Sequence, residues 1–175
     1  MNTILFITPH TSTGGLPQFL LKKIQVLLKK YNVYLVEWAD ITGNILITHR
    51  NQFKDLLGSN FISLSDNKSE IFGIIDKIKP DFIHFEEFPE TFINYDIIDK
   101  IYESDKYKII ETTHGTGFKI GDKYKSPDKL MLVSDFNYQQ FFNITNTDVL
   151  KYPSTPNNRN LILKNLGLNP NYYMY

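Results

Sequence analysis

Ile4-Leu5-Phe6-Ile7-Thr8-Pro9-His10-Thr11-Ser12-Thr13-Gly14-Gly15-Leu16-Pro17-Gln18-Phe19-Leu20 decides how the rest of the chain is read. Four apolar residues bounded by turn signals suit a strand covered on both faces. The polar run to Gly14-Gly15 is a loop, where glycine permits tight bends and close approach to a ligand. Pro17 suits the first turn of a helix, where a backbone N–H would have no intrahelical acceptor. The remaining N–H groups of that turn face the loop and favour anions or sugar hydroxyls.

Working outward, Leu20, Ile24, Leu27, Leu28 and Tyr31 fall on one helical face over residues 16–31. Lys22, Lys23, Lys29 and Lys30 fall largely off it and read as solvated surface. Val33-Tyr34-Leu35-Val36-Glu37 is a second strand, which closes a right-handed βαβ unit. Ile45–Thr48 and Phe61–Leu64 read as further extended pieces, with a short helix over 50–57 between them. Ile71, Ile74, Ile75 and Ile78 mark a helix that Ser65 or Asp66 caps and Pro80 stops. Strands follow at Asp81–Phe85, Lys108–Thr112, Lys129–Val133 and Asp148–Pro153. Between them lie a helix within Thr91–Tyr102, a polar connection over 119–128, and a helix after Ser134 carrying Phe136, Phe141 and Phe142. Alternation of this kind defines an α/β fold: a Rossmann-like, mostly parallel sheet with helices on both faces.

Ligands of such sheets sit beyond the carboxyl ends of the strands. The unusual residues gather there: Gly14 and Gly15 after the first strand, Glu86 and Glu87 after a middle one, His114 and Gly115 after the next. Phe82, His84 and Glu86 share one side of their strand, and Glu87 points the other way. One of the two glutamates is expected to reach the cleft and the other to be solvated or ion-paired.

The 175 residues hold 42% hydrophobic side chains, enough for one well-covered domain. Nineteen basic and nineteen acidic residues cancel, which argues against a nucleic-acid partner. There are no cysteines, so disulfides and thiolate chemistry are excluded. The four histidines show no metal-ligand spacing; His10 and His49 have no motif around them, and no metal is expected. No signal peptide or integral membrane segment is read, so the expected location is cytoplasmic. G-x-G-x-x-G, the phosphate-loop Gly-Lys-Ser/Thr and the hydrolase G-x-S-x-G are all missing.

Together, Ile4–Gly15, Pro80-Asp81-Phe82-Ile83-His84-Phe85, Glu111-Thr112-Thr113-His114-Gly115 and Leu132-Val133-Ser134-Asp135-Phe136 form a pattern. So do Lys151-Tyr152-Pro153 and Leu166-Gly167-Leu168-Asn169-Pro170. In order and spacing they resemble the N-terminal domain of a GT-B-fold glycosyltransferase, most like the retaining family 4. The resemblance implies a Rossmann-like, acceptor-binding domain over residues 1–156. Residues 157–175, with a short helix over 158–166, would link to a C-terminal nucleotide-sugar domain with a Glu-x7-Glu motif. It implies hexose transfer with retention from a nucleotide-sugar, UDP- or GDP-hexose, to a glycan, lipid or protein acceptor, with no separate cofactor. By the same resemblance Gly14 and Gly15 lie against donor phosphates or sugar, and His114 touches the transferred sugar as the catalytic-site histidine. Gly115, Glu86 and Glu87 line the cleft, and no general base is assigned. The competing expectation is a stand-alone Rossmann-like binding or interaction module without chemistry. A nucleotide-sugar-modifying enzyme such as an epimerase is set aside for want of dinucleotide glycines and of a Tyr-x-x-x-Lys pair.

Overall fold

The computed structural model describes residues 1–38, 49–115, 123–141 and 146–151. Seven strands form one sheet: β1 (Thr3–Thr8), β2 (Asn32–Glu37), β3 (Phe61–Ser63), β4 (Phe82–Glu86), β5 (Lys108–Thr113), β6 (Lys129–Leu132) and β7 (Thr147–Val149). Their order is β3-β2-β1-β4-β5-β6-β7, and every adjacent pair is parallel. The expected α/β, Rossmann-like architecture is thus present. The strand order reverses direction between β1 and β4, the point beyond whose carboxyl ends open α/β sheets bind their ligands.

Period-two alternation sorts the core onto two faces. Phe6, Val33 and Leu35 pack with Leu20, Leu21 and Ile24 of α1 (Gly15–Leu27) and with Phe53 and Leu57 of α2 (Arg50–Leu57). On the other face, Leu5, Ile7, Val36, Ile83, Phe85 and Ile109 meet α3 (Glu70–Ile78) and α4 (Tyr95–Tyr102). The isoleucine stripes legible in the sequence supply this contact, with Ile71 and Ile75 buried on α3 and Ile97, Ile98 and Ile101 on α4. A fifth helix, α5 (Asp135–Phe141), lies between β6 and β7.

Several boundaries differ from expectation. Ser65 does not cap α3: its hydroxyl donates to Glu70 and accepts from the Asn67 N–H, and Ser69 stands at the cap position. That helix ends on Lys79, which takes a left-handed conformation before Pro80 can act as a stop. The helix expected within Thr91–Tyr102 divides into a 3-10 turn over Pro89–Thr91 and α4 proper. The strand expected at Ile45–Thr48, much of the connection over 119–128, Phe142, Pro153 and the helix over 158–166 fall wholly or partly outside the described residues.

Phe85 is fully buried on a central strand, whereas Val26 stands 64% exposed on α1. Phe85→Ala should therefore lower unfolding free energy by about 3–5 kcal/mol. Val26→Ala should stay within about 0.5 kcal/mol of wild type. Urea unfolding of the two variants measures both.

Candidate functional site

The loop after β1 is held at its base. Glu37, at the carboxyl end of β2, is almost fully buried and accepts from both the N–H and the hydroxyl of Thr11. Its other oxygen takes Arg50 of α2 at 2.8 Å and the Ser63 hydroxyl at 3.2 Å. A buried carboxylate must be matched in this way, or its desolvation would unfold the region. The His49 N–H donates to the Ser12 carbonyl, and the Ser12 hydroxyl meets His10 Nδ1 at 3.0 Å. His10 and His49 therefore serve the loop's own structure.

Gly14 then caps α1 with φ 104° and ψ −174°, a region closed to L side chains. Among the described residues nothing lies within 4 Å of where its Cβ would stand. Its backbone angle demands glycine, and crowding by the described residues does not. Gly15 is the first residue of α1 and is exposed.

The chemistry converges from three elements. Glu86 ends β4, pairs in register with Thr112 of β5, and is fully buried on the α1 face. Lys23, two turns into α1, reaches it at 2.5 Å. The same ammonium donates to His84 Nε2 at 3.1 Å and to Thr112 Oγ1 at 3.2 Å. Its three hydrogens thus have three acceptors. Phe6 and Phe19 flank it, with ring centroids 5.4 and 5.3 Å from the nitrogen. The reading of Lys23 as solvated surface is corrected: Lys22, Lys29 and Lys30 are exposed, but Lys23 turns in toward a carboxylate. The helical wheel puts it beside the apolar stripe, and its long stem covers the remaining distance.

His114, which follows β5, meets Glu86 Oε2 through Nε2 at 3.1 Å, and the edge of Phe19 packs on its ring with centroids 5.0 Å apart. His84 lies stacked on Phe6, with Thr112 Oγ1 2.8 Å from its Nε2. Burial, reinforced by the Lys23 charge, pushes the His84 pKa down to about 3 against the pull of Glu86. His84 is accordingly neutral, with Nε2 as acceptor and the proton on Nδ1. For Glu86, burial alone would raise the pKa, but Lys23 and both histidines outweigh it and bring it down to about 2. Burial lowers Lys23 in spite of Glu86, so the two partners do not benefit equally. The geometry suits an ionised pair: an ammonium at Lys23 finds an acceptor for each of its hydrogens, and a Glu86 carboxylate accepts at both oxygens.

Glu87 does something else. Its φ is 120°, so the chain swings out of β4 immediately after Glu86. The carboxylate then accepts from the Thr113 hydroxyl and from the N–H groups of His114 and Gly115. Glu87 is half-buried, and among the described residues its partners are hydroxyl and backbone donors: it holds the loop that carries His114. A Cβ at Gly115 would meet Glu87 at 3.8 Å, an ordinary contact, and that glycine is not sterically required.

A second buried cluster lies on the opposite face. Lys123 joins Glu90 and Glu111, each at 2.7 Å, and the Tyr102 hydroxyl donates to the same Glu111 oxygen. Among the described residues, the second oxygens of Glu90 and Glu111 are buried without a hydrogen-bond partner. Two carboxylates share one ammonium, and burial lifts the Glu111 pKa to about 7 although Lys123 and Tyr102 oppose the rise. Burial and then Glu111 raise Tyr102 far above the ordinary phenol range. Reading residues 119–128 as a merely polar connection missed Lys123. No sequence spacing marks it, because its partners come from β5 and from the turn after β4.

One exclusion also needs amending. Tyr102 and Lys106 do have Tyr-x-x-x-Lys spacing. Tyr102, however, ends α4 against Glu111, and Lys106 stands exposed in the loop beyond, so the two do not share a helix. Glu37 occupies the end of β2, where a dinucleotide-binding sheet places its ribose-binding acid, but here it is spent on Thr11, Arg50 and Ser63.

No family model and no curated protein matches the chain. Among solved structures, it is similar to dTDP-glucose 4,6-dehydratase from Bacillus anthracis str. Ames in complex with NAD. The identity is 12% and the TM-score 0.44, over 95% of this chain and 61% of that one. So loose a likeness carries no argument about residues or activity. Among the described residues, no helix is long and apolar enough to cross a membrane, and no group of three or more acidic or histidine side chains is arranged to hold a metal ion.

Glu111 supplies a pH test. Its folded pKa lies above its unfolded value of 4.5, so the stability it contributes is full below pH 4.5 and is lost as pH rises through 7. The free-energy gap between wild type and Glu111→Gln should shift by at most about 3 kcal/mol from pH 4.5 to pH 8, to the detriment of wild type. His84 acts in the opposite sense: its contribution is full above pH 6.5 and lost as pH falls toward 3. Denaturant unfolding of both proteins across pH 4–8 separates the Glu111 effect, since His84 is common to them.

Proposed function

We propose that this chain is the acceptor-side half of a retaining glycosyltransferase of the GT-B kind. What carries the reading is the coincidence of three features at the crevice where the strand order reverses. Gly14, uncrowded by the described residues, starts α1 with a backbone angle that demands glycine, Glu86 and His114 meet from β4 and β5, and Glu87 holds the His114 loop. Gly14 and His114 belong to the stretches on which the resemblance to family 4 rests, and all three features lie in the region where open α/β sheets bind ligands.

In this reading the N–H groups at the start of α1, beside Gly14 and Gly15, face the donor's diphosphate or sugar. His114 lies along the transferred hexose, held through Glu86. The protein side of the chemistry is positioning and charge stabilisation. No side chain is assigned as base; a donor phosphate oxygen takes the acceptor's proton as the new glycosidic bond forms on the face the leaving group departs. A nucleotide-sugar domain, contributed beyond this chain, would form the opposite wall. The expected partners are therefore a UDP- or GDP-hexose, an acceptor glycan, lipid or protein, and that second domain, in the cytoplasm. No dinucleotide cofactor enters the scheme, which accords with a Glu37 already committed to protein groups.

The chain alone should turn over no UDP- or GDP-hexose and bind them weakly. A form carrying the nucleotide-sugar half should transfer hexose with retention, read by NMR of the product anomer. His114→Ala in that form should lower kcat/KM by ~100-fold, and Gly14→Val should do at least as much, since valine is strained at that φ. Turnover by the 175 residues alone would refute the half-site. Inactivity of the longer form toward a panel of nucleotide-sugars would favour the stand-alone binding module.

A further inference from the structure

The Lys23–Glu86–His114 contact fixes more than shape. An ionised carboxylate can only accept, so the Glu86 Oε2 to His114 Nε2 contact at 3.1 Å requires the proton to sit on His114 Nε2. Were Glu86 neutral, its hydroxyl could donate, and the same 3.1 Å contact would hold the opposite tautomer. From the Glu86 side, the arrangement depends on whether the carboxylate has a counter-charge, and it has no access to water to find one. Among the described residues Lys23 is the lysine or arginine in contact with it, at 2.5 Å on the oxygen that His114 does not use. The lysine cannot swing away cheaply: His84 Nε2 and Thr112 Oγ1 take its other hydrogens, and Phe6 and Phe19 enclose it. His84 is no substitute counter-charge, since its Nε2 accepts from Lys23.

We propose that Lys23 is a positioning residue: by matching the buried charge of Glu86 it fixes His114 with its proton on Nε2 and its ring oriented by the carboxylate. Phe19, on the same helix one turn earlier, holds that ring edge-on, so α1 controls both its orientation and its proton. The role of His114 toward a sugar rests on the function proposed above; the control of its proton does not. In the scheme above, the tautomer decides which ring nitrogen can donate to the sugar and which can only accept.

The test uses the chain labelled with 15N-histidine and long-range 1H–15N spectra, which report which ring nitrogen carries the proton. His114→Gln identifies the His114 signals by their loss. At pH 7 the wild-type His114 should show the Nε2–H pattern. A wild-type spectrum with the proton on Nδ1 overturns the proposal without any variant. In Lys23→Met the Nε2–H pattern should give way to Nδ1–H, because Glu86 without its counter-charge takes up a proton and donates to Nε2, while amide signals of α3 and α4 stay in place. Lys23→Gln, which keeps a donor to Glu86 but no charge, should lose it too and serves if the methionine variant does not fold. An unchanged His114 pattern in a folded Lys23 variant overturns the assignment. In a form carrying the nucleotide-sugar half, the Lys23→Gln change should lower kcat with little change in donor KM. If the spectra behave as expected but that form transfers no sugar, the transferase reading fails and Lys23 keeps its role. If the enzyme is active and the spectra do not change, the reverse holds.

Discussion

A carboxylate sealed from water at the end of the central strand is the constraint on which the rest of this molecule depends. Glu86 can be charged there only if a cation and hydrogen-bond donors come to it, because desolvation of an unmatched carboxylate costs several kcal/mol. The match comes from α1 on one side and from the β5 loop on the other. The register Phe6–His84 and Glu86–Thr112 then follows as geometry: it puts two polar strand residues and a threonine hydroxyl around one ammonium. A slip of one residue in β4 would bury Glu87 and turn Glu86 to the opposite face.

Two further acids divide the labour of holding the rim. Glu37 ties the loop after β1 to α2 and β3, and Glu87 ties the loop after β5 to the turn after β4. Neighbouring glutamates thus do unlike work. The reversal of the backbone at Glu87, with its positive φ, lets one reach α1 through the core while the other catches two loop N–H groups. The rim is pre-shaped by buried carboxylates, with the glycine at the start of α1 left for approach.

Most of the architecture could be read from the order of residues, because it rests on local periodicity. Ile71, Ile75, Ile97, Ile98 and Ile101 declare their helices, and Ile4–Ile7 and Ile83–Phe85 declare buried strands. The rim was legible for the same reason: glycines, paired glutamates and a Thr-His-Gly after strands stand out from apolar neighbours. What was not legible depends on contacts between distant parts of the chain. Lys23 is 63 residues from Glu86 and looks like any other lysine in a basic helix. Lys123 gives no local sign that it will be buried between Glu90 and Glu111. The sign of φ at Glu87 decides that residue's role, and alternation along a strand says nothing about where the strand will stop. Of the two reasons for a glycine at position 14, the tight bend is the one the backbone angle bears out, and a Cβ there would meet no crowding from the described residues.

The enclosure of Lys23 also bears on how the molecule opens. An amphipathic helix packed on one face of a sheet can detach in small fluctuations, since its outer side is already wet. Detaching α1 here breaks more than apolar contact: it separates Lys23 from Glu86, His84 and Thr112, groups carried on β4 and β5. A single lysine so links α1 to two strands besides the one that precedes it.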